Sequence, residues 1–258
     1  MLSKKQEVGV LILWPVLVSV FVIAFHVTLL TAIVLFFVVP AVFLSFLRPQ
    51  VVKKLLLFSI VLGIPLAIIP DYVMHIMGGW YAGTIFPWRI LGQGVIENML
   101  WTPACIYFIT IFYEVFFDRD SLRKLRVSQF KYFFTLCFLV LIAFFVVYVY
   151  VPDNLVIHHF YLKAGLIVGF IPIIFVALKY PKLLVKFVPV NLYFAYVFLL
   201  HELSALLANQ WSFPNMAESI GALSIIGLSI PYEEFFFFIL FGALTVLSIY
   251  ELFDDDMK

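Results

Sequence analysis

The apolar residues of this chain occur in runs near twenty long, and such runs leave few folds open. A helix of about 20 residues crosses the roughly 30 Å hydrocarbon core of a bilayer. Of the 258 residues, 65% are hydrophobic and only 12% are charged, too little charge to cover a soluble protein of this size. The sequence therefore predicts an all-α, polytopic membrane bundle of about eight spans. The predicted spans are residues 9–25, 27–47, 55–76, 89–117, 132–151, 158–178, 188–208 and 220–251.

Basic residues predict how the bundle is oriented. With about eight spans, the loops near 77–88, 152–157 and 209–219 fall on one side and contain no Lys or Arg. Because cytoplasmic loops of membrane proteins are enriched in Lys and Arg, we expect a cell-membrane protein with both termini in the cytoplasm. Arg89 and Lys163 lie outside this pattern, and Lys163 either pairs with a buried carboxylate or reaches the outer interface. The predicted cytoplasmic side holds Lys4, Lys5, Arg48, Lys53, Lys54, Arg119, Arg123, Lys124, Arg126, Lys131, Lys179, Lys182, Lys186 and Lys258.

The two halves of the chain resemble each other in sequence. In each half an acidic residue precedes a tryptophan by nine positions, Asp71 before Trp80 and Glu202 before Trp211. A loop with a proline and a long apolar helix with early carboxylates follow, and the helices close with IFYEVFFDRD, ending at Asp120, and SIYELFDDD, ending at Asp256. This pattern predicts a tandem parallel duplication about an axis along the membrane normal. The predicted units are a first repeat at 1–117, a linker at 118–131 and a second repeat at 132–258.

Five carboxylates fall within or close to predicted spans. A charged side chain at the bilayer centre costs roughly 2.5–3.5 kcal/mol by insertion scales, so we expect these groups to face the bundle interior. A neutral buried acid beside a carboxylate suits acid/base chemistry on an apolar molecule, although structural hydrogen bonds and proton transport remain alternatives. The predicted catalytic set is Asp71, Glu97, Glu202, Glu233 and Glu234.

Other acidic residues and the internal alignment need separate predictions. Glu97 aligns with either Glu233 or Glu234, and the sequence leaves this choice open. Glu114 and Glu251 stand beside other charges at predicted helix ends, where we expect them to be solvated.

Aromatic residues and one proline complete the candidate site. Flat rings can line a slot for a polyene, and an aromatic face stabilises a cation by about 0.5–2 kcal/mol. A proline within a helix removes a backbone hydrogen bond and bends the helix, and Pro231 lies in a predicted span. The predicted substrate-binding residues are Trp80, Trp101, Trp211, Phe235, Phe238 and Pro231.

The sequence contains no pattern typical of a bound cofactor. Gly92, Gly94 and Glu97 do not fit the dinucleotide fingerprint, and the chain has no phosphate-binding loop. The histidines lack metal-ligand spacing, and Cys105 and Cys137 lie in apolar runs without CxxC spacing. We therefore predict no nucleotide cofactor and no metal, and the formal charge of +1 argues against a nucleic-acid partner.

The stretch IPYEEFFFF at 230–238, together with D-x8-W and E-x8-W in a duplicated layout, resembles the small membrane lycopene cyclases. Members of this family carry a Pro-x-Glu-Glu element in each half, followed by aromatic residues. Pro231, Glu233 and Glu234 match that element. In the first half Val95 replaces its proline and Asn98 its second glutamate, whereas Glu97 and Asp71 match.

The resemblance implies an activity. A carboxylic acid would protonate the terminal double bond of lycopene or a related ψ-end carotenoid, the cation would close a six-membered ring, and loss of a proton would complete an isomerisation without net redox change. It also implies membrane lipid, and a second copy or other carotenoid enzymes, as partners. The residues leave open a non-catalytic carotenoid-binding or isoprenoid-binding subunit and a proton-coupled carrier. A retinal protein is disfavoured because Lys163 is the only lysine well within a predicted span.

Overall fold

The protein is a bundle of long helices in a computed structural model that describes residues 4–118 and 127–253. Seven of the described helices are long and apolar enough to cross a membrane, and a bent pair near the C-terminal end would make an eighth span. These observations confirm an all-α membrane bundle. The helices are α1 Lys4–Phe25, α2 Leu29–Leu47, α3 Pro49–Ile76, α4 Ile96–Phe116, α5 Val127–Tyr150, α6 Phe160–Lys179, α7 Pro181–Leu207 and α8, which comprises Glu234–Leu240 and Gly242–Glu251.

Two predicted spans begin later than expected, because short extended segments precede α4 and α8. Residues 89–95 form a turn in which Ile90 pairs with Gly94. A β-hairpin precedes α8, with strands Ala222–Ile225 and Leu228–Pro231. Its turn residues Ile226 and Gly227 both have positive φ, as a tight hairpin turn requires.

The placement of Pro231 within a helix is therefore wrong. Pro231 is the last residue of a strand and pairs with Ala222. Proline cannot donate a ladder hydrogen bond and is tolerated at the margins of a sheet. The residue thus ends the hairpin and does not kink α8.

Helix α8 is bent where its backbone changes from π-helix to α-helix. Its first part, Glu234–Leu240, is a π-helix, and the axis turns by 54° before Gly242–Glu251. A π-helical turn accommodates one extra residue. The interval from Glu233 to Tyr250 is one residue longer than that from Glu97 to Tyr113, and the π-helix accounts for this difference between the halves.

The loops at one end of the bundle, here called the loop end, pack against one another. Strand Tyr81–Ala82 of the first half pairs antiparallel with Trp211–Ser212 of the second. The amide of Asn215 donates to the carbonyl of Gly78 at 2.9 Å. The two halves therefore meet through equivalent segments, each of which includes or directly follows the tryptophan of its repeat.

The opposite end, here called the basic end, contains a buried cluster of charges. Glu114 is 0% exposed and lies 2.6 Å from the Lys54 ammonium group and 3.3 Å from the Arg48 guanidinium group. Tyr250 donates to Glu114, and Tyr113 donates in turn to Glu251. The expectation that Glu114 and Glu251 are solvated is wrong. The tyrosine of each half donates to the glutamate of the other half, and both glutamates are buried.

Several predicted features of this end lie outside the described residues. They are most of the linker at 118–131 and the residues Arg119, Asp120, Arg123, Lys124, Arg126, Asp256 and Lys258.

Glu114→Gln is expected to destabilise the bundle. Removing one member of a buried ion pair typically costs about 3–5 kcal/mol, because Arg48 and Lys54 would keep their charge in a buried site. Thermal unfolding in detergent should show a lower midpoint for this variant. Asp153→Asn, at an exposed loop position, is the control. Equal midpoints for both variants would contradict the assignment of Glu114 as the central counter-charge.

Candidate functional site

A cavity of about 520 Å³ lies between the two halves of the bundle. Helices α3 and α4 of the first half and α5, α6 and α8 of the second contribute to its walls. Most lining side chains are apolar, and the volume falls within the range of about 300–1,000 Å³ typical of small-molecule sites.

The cavity reaches the outer surface of the bundle between α5 and α6. Val140 on α5 and Ile167 and Val168 on α6 line it and are also exposed. In a membrane, exposed apolar side chains on spanning helices contact lipid. An apolar molecule therefore has a lateral route into the cavity from the bilayer.

Glu234 provides the only carboxyl group among the described residues that line this cavity. It is the first residue of α8, three residues after the end of the hairpin at Pro231, and is 6% exposed. The Tyr161 hydroxyl donates a hydrogen bond to Glu234 Oε2 at 2.8 Å. One carboxyl group is thus held at the wall of a mostly apolar space, which Lys163 also lines.

Glu202 lies behind Glu234. Its side chain is fully buried, Trp211 Nε1 donates to its Oε1 at 3.0 Å, and its Oε2 has no partner among the described residues. It interacts electrostatically with Glu234. Two interacting carboxyl groups away from water share protons as a unit.

Glu97 and Glu233 anchor loops in the same way. Glu97 Oε1 accepts from the amide of Ile85 at 2.9 Å, and Glu233 Oε1 accepts from the amide of Ile220 at 2.9 Å. Ser219 also donates to Glu233. The shared contact aligns Glu97 with Glu233, which resolves the ambiguity that the sequence leaves.

Asp71, the counterpart of Glu202, is saturated with hydrogen bonds. Its Oδ2 accepts from the amide of Val95 at 2.8 Å, and its Oδ1 accepts from Asn98 at 2.7 Å and from Trp80 at 3.3 Å. A Cβ at Gly94 would lie 2.7 Å from Oδ2, so glycine is needed for this approach. Asp71 therefore holds the start of α4 and does not line the cavity.

The predicted aromatic residues divide into two groups. Trp80, Trp101, Trp211 and Phe238 line the cavity. Phe235 does not line the cavity, and it packs against the hydrophobic core. Pro231 lines a separate small cavity.

Tyr161, Phe237 and Asn98 are among the cavity residues that sequence reasoning missed. Within a run of phenylalanines at 235–238, the sequence cannot show which rings face inward. Tyr161 lies in no motif, and only its position beside Glu234 identifies it.

The small cavity, of about 10 Å³, lies at the loop end and has Glu233, Glu218 and Ser219 in its wall. Its volume is close to the space of about 10–15 Å³ that one water needs. Burial disfavours the charged Glu218 carboxylate, but hydrogen bonds from His158 and the His159 amide outweigh this and lower the pKa of Glu218. Tyr161 lines both cavities, as do Met74 and Phe213.

Neither metal-binding groups nor similarity to known proteins identifies a function for the site. Within residues 4–118 and 127–253, no three His, Cys, Asp or Glu side chains are grouped so that they could hold a metal ion. Comparison with family models finds no match, and comparisons with curated proteins and solved structures find no significant similarity. The fold and composition define an integral membrane protein, and its activity has to be argued from the site.

Gly165→Ala is expected to distort the cavity. A Cβ at Gly165 would lie 2.1 Å from the Phe237 ring, so the ring or α6 must move, and overpacking typically costs about 1–3 kcal/mol. The affinity of the cavity for an apolar ligand and the midpoint of thermal unfolding should both decrease. Gly9→Ala is the control, because no heavy atom lies within 4 Å of its added Cβ. Unchanged ligand binding in Gly165→Ala would show that Phe237 does not shape the site.

Proposed function

We propose that this protein is a membrane-embedded isomerising cyclase that closes rings at the ψ-ends of lycopene or a related carotenoid. The observation that carries the proposal is that Glu234 is the only carboxyl group among the described residues in the wall of an aromatic-lined, mostly apolar cavity. The IPYEEFFFF stretch, which resembles the membrane lycopene cyclases, contains this residue.

Glu234 is the proposed acid. Its proton passes to the terminal carbon–carbon double bond, which leaves a tertiary cation at the adjacent carbon. The π electrons of the next reacting double bond then form the ring bond. Tyr161 donates to Glu234 Oε2, and this hydrogen bond becomes stronger as Glu234 acquires negative charge, so it favours proton donation.

The cavity suits a carbocation in two ways. The rings of Trp80, Trp101 and Trp211 lie in its wall, and aromatic faces attract cations. The apolar lining also excludes water, which would otherwise capture the cation as an alcohol. Cyclisation is thereby favoured over hydration.

The last step is proton loss from the ring cation. The Glu234 carboxylate formed in the first step is the nearest base, and accepting this proton restores the neutral acid. Nothing is oxidised or reduced, so the cycle needs neither nicotinamide, flavin nor metal. Glu202 supports Glu234 by sharing protons with it.

The proposed setting is the cell membrane, with both termini and the basic end in the cytoplasm. Lycopene would enter from the lipid between α5 and α6. The loops of the loop end, which are poor in Lys and Arg apart from Arg89, would face the other side. A second copy or another carotenoid enzyme could deliver the substrate.

A carotenoid-binding subunit is the second candidate, because the same cavity would hold a polyene without reaction. A proton-coupled carrier is less well supported, because polar groups in the described cavity wall are few.

The test uses the purified full chain in lipid nanodiscs with lycopene, in heavy water and without added cofactors. We expect cyclic carotenoids that carry one deuterium per ring, since Glu234 exchanges its proton with solvent between turnovers. Bound but unchanged lycopene would favour the binding subunit. If lycopene neither binds to the protein nor reacts, the proposal is refuted.

A further inference from the structure

The two halves present different chemistry to the same cavity. Because Glu97 and Glu233 make the same loop contact, the next residues, Asn98 and Glu234, occupy equivalent positions. Both line the cavity. The second half thus offers a carboxyl group where the first offers an amide, which cannot act as a proton-donating acid.

The neighbouring groups of Asn98 and Glu234 also differ between the two halves. Asn98 donates to Asp71 Oδ1, and the other oxygen of Asp71 accepts from the Val95 amide. Glu234 instead lies beside Glu202, which keeps one oxygen without a partner among the described residues. Both oxygens of Asp71 beside Asn98 are therefore occupied by hydrogen bonds, whereas the Glu234–Glu202 pair can hold and release a proton.

We infer that the cavity, which has one carboxylic acid among its described lining residues, closes only one end of a carotenoid in each binding event, with Asn98 as the residue that limits it. This inference rests on the proposed function. A conjugated polyene is a rigid rod, so its two ends cannot reach the Glu234 carboxyl group in one bound state. A substrate with two ψ-ends must leave as a one-ring product and bind again in the reverse direction.

A chase experiment with the wild-type protein tests the release step. Isotope-labelled lycopene is converted in nanodiscs, and unlabelled one-ring carotenoid is added in excess during turnover. We expect label in the two-ring product to fall in proportion to the dilution of the one-ring pool. Labelled two-ring product that does not respond to the chase would overturn the inference, because both ends would then react before release.

Glu234→Gln tests the single acid. Both ring closures should be lost together, while the variant still binds lycopene, as followed by the visible absorption of the bound polyene. Selective loss of the second ring, with one-ring product still formed, would reveal another acid and overturn the inference. Wild-type protein that forms no ring at all would instead refute the proposed function, so the two failures are distinguishable.

Discussion

Glu234→Gln is expected to reduce the rate of ring closure by about 10²-fold or more, since general acid–base catalysis typically contributes 10²–10⁴-fold. The amide keeps the size of the side chain and can still accept from Tyr161, but it has no acidic proton. Rates should be measured by pigment chromatography under single-turnover conditions, so that product release does not mask the chemical step.

Glu233→Gln is the matched control, with the same substitution at the adjacent residue. Glu233 binds the amide of Ile220 and the hydroxyl of Ser219, away from the main cavity. We expect a smaller effect on rate and a lower thermal midpoint, because the hairpin before α8 loses its anchor. A larger rate loss in Glu233→Gln than in Glu234→Gln would reverse the assignment of the acid.

Tyr161→Phe is expected to slow ring closure by about 10–100-fold. A hydrogen bond to a charged group contributes about 1.5–3 kcal/mol, and each 1.36 kcal/mol corresponds to tenfold in rate. The effect should fall on kcat, because the bond strengthens only as Glu234 loses its proton. Tyr132→Phe, at an exposed position on α5, should leave the rate unchanged.

Deuterium labelling separates a chemical role of Tyr161 from a structural one. In Tyr161→Phe, each ring that still forms should carry one deuterium, as in the wild type, because Glu234 remains the donor. A loss of lycopene binding with unchanged kcat would instead indicate that the tyrosine only shapes the cavity.

The span pattern could be predicted because it depends on local chemistry. Apolar runs follow from the thickness of the bilayer, and the predicted segments coincide closely with α1, α2, α5 and α6. Helices α3 and α7 begin at Pro49 and Pro181, six and seven residues before the predicted starts at 55 and 188. The starts of α4 and α8 were not predicted, because the residues at 89–95 and 220–231 adjoin long apolar runs, although they include four glycines and Pro231. They form short extended segments at the loop end instead.

The candidate site could be predicted in composition but not in arrangement. The cost of burying carboxylates identifies Asp71, Glu97, Glu202, Glu233 and Glu234 as unusual. It does not reveal that hydrogen bonds saturate Asp71, or that Glu97 and Glu233 anchor loops. The expected solvation of Glu114 failed for the same reason, because its partners Arg48, Lys54 and Tyr250 come from distant parts of the chain.

By itself the sequence determined the membrane class, the approximate number of spans and the set of candidate acids, because hydropathy and charge act through each residue's own transfer energy. Only the tertiary structure decided which acid faces the cavity. Glu233 and Glu234 are neighbours in the chain and chemically identical. The hairpin that ends at Pro231 and the π-helix that begins at Glu234 turn one towards the loop end and the other into the apolar cavity.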